Sequence, residues 1–309
     1  MKRKPILVTG AHGFIGRNVT RHLSRQGLRV IGIGRGKWSS VDEQKLWGVS
    51  EWRPSDITVE NLRACEVVPD SIIHCAGSGS VGLSIENPLD DFERNLNTTL
   101  NLLEYVRLYA PDAKVISMSS AGVYGDVEKF PMVEGDFLNP ISPYGVHKKI
   151  AEELCKSYVD HFGLNVSVLR LFSVYGPGLK KQLLWDACNK IIHGEYEFFG
   201  TGNELRDWIH INDISKMVES LITTSSSNFN LYNGATGLGT PITDILKLLF
   251  TALDSKESAI FTGSARQGDP IGYVADVTKT SQVLAWDPKI KWHQGVLEYA
   301  EWFKHHAIN

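Results

Sequence analysis

Three glycines, Gly10, Gly13 and Gly16, stand in "ILVTGAHGFIG" between a short apolar run and the start of helical spacing. A strand that ends in such a loop, with a helix opening from it, brings backbone N–H groups close to a phosphate. The stretch therefore predicts a pyrophosphate cradle built from Gly10, His12, Gly13, Phe14, Ile15 and Gly16. The spacing is G-x-x-G-x-x-G rather than the commoner G-x-G-x-x-G; a plain structural turn is the competing reading, and the flanking strand and helix argue against it. A second pattern lies in "SPYGVHKK", where Tyr144 and Lys148 are four residues apart and share one face of a helical pattern. Alone, Tyr-x-x-x-Lys usually means a surface pair. Its companions are Ser119 and Ser120, at the end of a predicted strand, and Asn95, on the preceding helix.

The end of the second strand tells dinucleotides apart, because an acid there pairs with ribose hydroxyls whereas an arginine accepts a 2′-phosphate. The chain reads "GIGRGKW" at that point, with Arg35 in the deciding place, Lys37 close by and His12 as a further donor. NADP is the favoured cofactor on this reading and NAD the other option; two solvated basic residues are the plain alternative. Asp56 and Ile57, in "SDI", are placed to flank an adenine, although Asp56 is equally suited to cap the helix that follows.

These residues need a rigid frame. Apolar strand-like runs at residues 6–10, 29–34, 71–77, 114–120 and 165–172 alternate with helical spacing such as Phe14, Ile15, Val19, Leu23 and Leu96, Leu100, Leu103, Val106. The pattern predicts an α/β protein with a doubly wound parallel sheet, and ligands at the carboxyl ends of its strands. Beyond Phe172 the regularity fades into turn glycines around a helical run near residues 183–193. Residues 1–172 are expected to form the dinucleotide-binding domain and 173–309 a smaller, mainly substrate-binding region, with some segments returning to the sheet. The 309 residues carry 42% hydrophobic and 22% charged residues and a net charge of −3, which gives no sign of nucleic-acid or membrane binding. Cys65, Cys75, Cys155 and Cys188 lack the spacing of a metal site or disulfide framework. The apolar run before the glycines is too short for a signal peptide, so the expected location is cytoplasmic.

Taken together, the glycine loop, "HCAG" at residues 74–77, Asn95, "SSAGVYG" at 119–125, "YGVHK" at 144–148, "LRLFSVYGPG" at 169–178 and "RDWIHINDI" at 206–214 resemble an extended short-chain dehydrogenase/reductase of the NAD-dependent epimerase/dehydratase type, over essentially the whole chain. The resemblance implies that Tyr144 exchanges a proton with a substrate oxygen while hydride passes between that carbon and the nicotinamide. By the same resemblance Ser120 bonds that oxygen, Lys148 holds the nicotinamide ribose and lowers the tyrosine pKa, and Ala76 and Asn95 belong to the cofactor site. Bringing a phenol from about 10 to about 7 takes roughly 4 kcal/mol. One charge about 5 Å away supplies about 3 kcal/mol at an effective dielectric of 20, so the lysine needs a dry cleft and the oxidised nicotinamide supplies the remainder. His147, between the pair, is expected to be solvated.

The resemblance further implies a nucleotide-diphosphate sugar as substrate, with Arg206 and Arg266 clamping the diphosphate through guanidinium groups suited to bidentate contact. Lys180 and Lys181 face the same anion or form a solvated pair, and Trp185 and Trp208 offer stacking faces or core. Ser173 stands where the family often has a longer asparagine on the substrate phosphate. Ala121 and Gly122 occupy the places of the acidic pair used by related 4,6-dehydratases, which disfavours water elimination, and the cysteine of epimerase-reductases is missing. The expectation is an NADPH-dependent 4-keto sugar reductase acting at carbon 4; the alternative is a 4-epimerase with retained NAD, and a non-catalytic NADP-binding sensor stands outside the enzymes. A homodimer through the helix bearing Asn95 and the helix beginning at Tyr144 is a further implication of the resemblance.

Overall fold

Strands β1 (Ile6–Thr9), β2 (Val30–Gly34), β3 (Glu51–Pro54), β4 (Ser71–His74), β5 (Lys114–Ser120) and β6 (Asn165–Leu171) pair in parallel in the order 6-5-4-1-2-3. The computed structural model describes residues 4–127, 129–224, 229–264, 268 and 270–307. After β7 (Ser173–Tyr175), β8 (Glu197–Phe198) and β9 (Leu205–His210), the chain returns to the sheet with β10 (Phe229–Gly234), a seventh parallel strand beside β6. The last strands are β11 (Gly239–Pro241), β12 (Ile260–Phe261) and β13 (Gly272–Tyr273). The expected doubly wound α/β fold is what the chain adopts.

Apolar side chains of the central strands alternate between two cores. Ile6, Val8, Ile116, Met118, Leu169 and Leu171 enter one; Leu7, Val115, Val166 and Val168 enter the other. The strand pleat sends neighbours to opposite faces, so both faces need a helical cover. Along the chain the helices are α1 (Phe14–Arg25), α2 (Val41–Leu46), α3 (Val59–Arg63), α4 (Val81–Glu86), α5 (Pro88–Phe92), a π-turn at Glu93–Asn97, α6 (Thr98–Tyr109) and α7 (Pro143–Phe162). They continue with α8 (Gln182–Ile192), α9 (Ile211–Thr223), α10 (Ile242–Ala252), α11 (Thr278–Leu284) and α12 (Trp292–Ala307). Val19 and Leu23 of α1 with Ile214, Val218 and Leu221 of α9 close the first core. Leu62 of α3, Leu102 and Val106 of α6, and Cys155 and Val159 of α7 close the second.

A smaller lobe follows β6. Its sheet sets β9 between β11 and β13, with β7 parallel to β9. Its core gathers Leu184, Ile245, Leu249, Val296 and Phe303, and Phe14 packs on this core as well as on the first, joining the lobes. Among the described residues no helix is long and apolar enough to cross a membrane, and no group of His, Cys, Asp or Glu is arranged to hold a metal ion.

Candidate active site

The glycine loop is shaped by close backbone contact. Gly10 has φ +67°, and a Cβ there would lie 2.7 Å from the Ala76 amide nitrogen, at the end of the neighbouring β4. A Cβ on Gly16 would strike the Gly10 carbonyl. α1 begins at Gly13 with no side-chain cap and no acid in its first turn; its first internal bond runs from Arg17 N to Gly13 O at 2.9 Å. The amides of Phe14, Ile15 and Gly16 precede that bond and point out of the helix end, while the Phe14 and Ile15 side chains face the cores. An uncapped helix start on an all-backbone loop fits a pyrophosphate.

His12 does not add a cation there. Its ring meets Trp38 edge-on at 4.6 Å and lies beside Gly36, and its carbonyl accepts from Arg17 Nη2 at 2.7 Å. Burial first, then Arg17, push its pKa down, so it is neutral at physiological pH. Arg35 lies at the end of β2 as expected, but its Nε is ion-paired with the Asp56 carboxylate, both side chains being largely exposed. The arginine that favours a 2′-phosphate thus already has an anion. Asp56 does not cap the next helix; Thr58 does, accepting from Asn61 N at 3.2 Å. Ile57 is buried in the second core.

At the end of β4 the chain turns through Ala76 and Gly77. Ala76 N donates to Thr9 Oγ1 at 3.2 Å. Asn95 is buried in the π-turn, with Oδ1 accepting from Ser78 N at 3.2 Å and Nδ2 donating to Asp91 O at 3.0 Å. It braces the loop after β4. A Cβ on Gly77 would lie 2.8 Å from Asn95 Oδ1 and 3.5 Å from Lys148 Nζ, so brace and ammonium converge on one spot.

α7 delivers the reactive pair. Ser142 caps it, accepting from Gly145 N at 3.1 Å, Pro143 opens its first turn, and Gly163 ends it at φ +69°. The i, i+4 spacing sets Tyr144 and Lys148 against the end of β5: the Ser120 hydroxyl and the Tyr144 ring both lie against Gly122, and Lys148 Nζ donates to Met118 O at 3.0 Å. The ammonium lies 6.0 Å from the Tyr144 ring centre. Burial pushes Lys148 down to about 8, Asp91 opposing. Burial also pushes Tyr144 up to about 12; Ser120 acts the other way and Asp91 adds to the rise. In the protein alone burial thus leaves the phenol above its ordinary value, with the Lys148 ammonium held beyond the ring.

His147 is not solvated as expected. Its Nδ1 lies 2.7 Å from Asp91 Oδ2, and its ring meets Phe92 edge-on, since this position of α7 faces α5 rather than water. Asp91 itself is buried, and it is the acid nearest the reactive pair that the sequence reading overlooked.

In the smaller lobe, Ser173 stands beside Trp208 across the β7–β9 ladder, two residues from Arg206. Arg206 Nη1 donates to Leu205 O at 2.9 Å and its guanidinium lies 5.9 Å from the Tyr273 ring centre. Arg266 lies outside the described residues. Lys180 rests over Trp185, which packs on Trp302 and Phe303, and Trp208 is core; a Cβ on Gly79 would come within 3.5 Å of Lys181 Nζ, so that ammonium reaches the loop after β4.

The chain resembles known proteins in both sequence and fold. The model of the NAD dependent epimerase/dehydratase family matches residues 6–233. A putative UDP-glucose 4-epimerase of Methanocaldococcus jannaschii is 29% identical over 308 residues, spanning 97% of this chain and 98% of that protein. Among solved structures, MoeE5 in complex with UDP-glucuronic acid and NAD superposes with a TM-score of 0.89 at 27% identity, covering 97% of this chain and 99% of that one. A UDP-glucose 4-epimerase of Thermotoga maritima with UDP-glucose gives 0.88 at 28% identity, with the same coverage.

Proposed function

Because the chain belongs to the NAD dependent epimerase/dehydratase family, we propose that it is a nucleotide-sugar 4-epimerase that retains NAD, rather than the NADPH-dependent reductase that Arg35 suggests. The observation that carries this reading is one proton-handling group, Tyr144, set beside Ser120 at the Gly122 turn, with Ala121 and Gly122 standing where elimination would need an acid and a base. MoeE5, bound to NAD, and the Thermotoga maritima protein named as a UDP-glucose 4-epimerase support it, and the pairing of Arg35 with Asp56 weakens the argument for NADP.

In this reading residues 1–172 hold the dinucleotide on the amides of Phe14, Ile15 and Gly16 and on Lys148, and residues 173–309 hold the sugar nucleotide through Ser173, Arg206 and Arg266. Bound NAD supplies a hydride acceptor at sugar carbon 4 and the positive charge that Tyr144 lacks in the protein alone. Tyr144 takes the proton of the carbon-4 hydroxyl and later returns it, Ser120 holds that oxygen in line, and Lys148 keeps a positive charge behind the phenol. A 4-keto sugar that turns over within the site and is reduced on its other face leaves as the epimer, with no net redox change.

The test is to denature the purified protein, identify the dinucleotide released, and follow UDP-glucose and UDP-glucuronic acid by NMR. Stoichiometric NAD and conversion to the carbon-4 epimer are expected. An empty protein that binds NADPH in preference and consumes it with a 4-keto sugar would restore the reductase, and binding without turnover of any nucleotide sugar would leave a sensor.

Three further outcomes follow. Asp56→Asn frees Arg35 and should improve NADP binding relative to NAD by about fivefold, the roughly 1 kcal/mol scale of an exposed ion pair, as read from dissociation constants by fluorescence titration. Lys148 loses its charge as pH rises through about 8, so NAD affinity of the emptied protein should be full below that pH and fall above it. Lys148→Arg, which stays charged, should flatten the fall. Finally, we propose a homodimer joined through α5, α6 and α7, where Leu89, Phe92, Leu100, Val146 and Ile150 are exposed apolar residues; sedimentation at micromolar concentration should show two copies, and a monomer would refute it.

A further inference from the structure

Three consecutive residues at the end of β5 each engage one residue of a single stripe of α7. The Met118 carbonyl takes Lys148 Nζ at 3.0 Å, Ser119 Oγ donates to Glu152 Oε1 at 2.5 Å, and the Ser120 hydroxyl meets the Tyr144 ring at the Gly122 turn. Tyr144, Lys148 and Glu152 are spaced by four, so they lie along one face of the helix. The middle contact touches no reacting atom, yet it is the most deeply anchored of the three. Glu152 also receives Arg170 in a forked pair, Nη2 to Oε2 at 2.7 Å and Nε to Oε1 at 3.0 Å. Arg170 is 2% exposed and Glu152 5%.

Arg170 is fixed in turn by the sheet. It is the register partner of Ser119 on one side and of Asn233 on the other, so a polar row crosses β5, β6 and β10. Its Nη1 donates to Glu134 O at 2.9 Å, and its guanidinium lies 4.8 Å from the ring centre of Tyr124, whose hydroxyl donates to Asn233 Oδ1 at 2.7 Å. A buried ion pair of this kind is a poor way to gain stability, since well-packed apolar residues do as well or better. What it provides is a fixed height and rotation of α7 against β5.

We propose that Ser119 and Glu152, braced by Arg170, are positioning residues that set the register of α7 on β5 and thereby hold Tyr144 and Lys148 in place relative to Ser120. None of the three need touch the sugar or the dinucleotide. The clamp acts through the helix stripe, and a shift on the order of 1 Å at the reacting atoms is enough to slow a positioned proton transfer. Its effect on turnover rests on the 4-epimerase reading above; its effect on the backbone does not.

Ser119→Ala is the mildest break, because it keeps the Glu152–Arg170 pair and the packing. With UDP-glucose and UDP-glucuronic acid as probes, kcat should fall about tenfold with KM within about twofold, and the melting temperature should stay close to that of the wild type. In the protein without substrate, amide hydrogen exchange should rise in residues 118–122 and 143–149 and stay unchanged elsewhere. Ser119→Thr, which keeps a hydroxyl, should restore both readouts. Unchanged kcat and exchange overturn the proposal, as does a uniform loss of stability that Ser119→Thr does not repair. If the wild type converts no nucleotide sugar, the epimerase reading fails while exchange still decides the clamp: a local rise supports it and no change removes it.

Discussion

Tyr144→Phe should lower kcat by about a hundredfold to ten-thousandfold, the span over which a positioned acid–base group contributes to catalysis. The substitution removes one oxygen and leaves the ring, so its contacts with the Gly122 turn and Lys148 persist. Ser120 keeps its bond from Gly122 N at 3.1 Å. Folding and NAD binding should therefore be close to unchanged, which separates this variant from Lys148→Met. There the ammonium beside Gly77 is lost, and dinucleotide affinity should fall with turnover. The measurement is single-turnover reduction of bound NAD followed at the absorbance of NADH, alongside NAD content after purification. A Tyr144→Phe protein that keeps its NAD and reduces it at the wild-type rate would remove the phenol from the mechanism. Because burial, with Asp91 adding to it, pushes this phenol up to about 12 in the protein alone, the wild-type rate should also rise with pH until the fold or Lys148 fails.

The sheet's centre was legible because it is buried on both faces. β1, β2, β4, β5 and β6 are mostly buried strands centred on apolar, largely β-branched residues, and each lies within the predicted stretch. The two outer strands were not. β3, "EWRP", is a half-exposed edge strand ending in proline, and an edge needs neither apolar faces nor every N–H. β10, "FNLYNG", carries polar residues whose burial depends on distant partners: Asn233 is satisfied by Tyr124, Met132 and Asp276. The same division holds at the site. Tyr144, Lys148 and Ser120 show themselves through a four-residue spacing and a strand end, and Glu152 continues that spacing, so the stripe itself could have disclosed it. Arg35 shows the opposite case. Its type and place were read correctly, but its partner Asp56 comes from another loop 21 residues on, and local sequence does not show which anion a basic residue already holds. His147 was misread for the same reason, since Asp91 reaches it across 56 residues.

Arg170→Met should destabilise the protein by about 3–5 kcal/mol, the usual result of stranding one member of a buried ion pair. The carboxylate of Glu152 would keep Ser119 as donor and lose three charged contacts at 2.7 to 3.1 Å, in a place with almost no access to water. The Glu134 carbonyl would lose its donor as well. The double variant Glu152→Met with Arg170→Met removes both charges and should recover most of the lost stability in a urea titration, since no buried charge is left unpaired. Activity should not recover with it. Ser119 would have no carboxylate to hold and α7 no fixed register, so a folded double variant with low kcat is the expected end point. Full activity in that variant would mean that packing alone places Tyr144 and Lys148. A double variant as unstable as the single one would show that the cavity and the neighbouring carbonyl, rather than the stranded charge, set the cost.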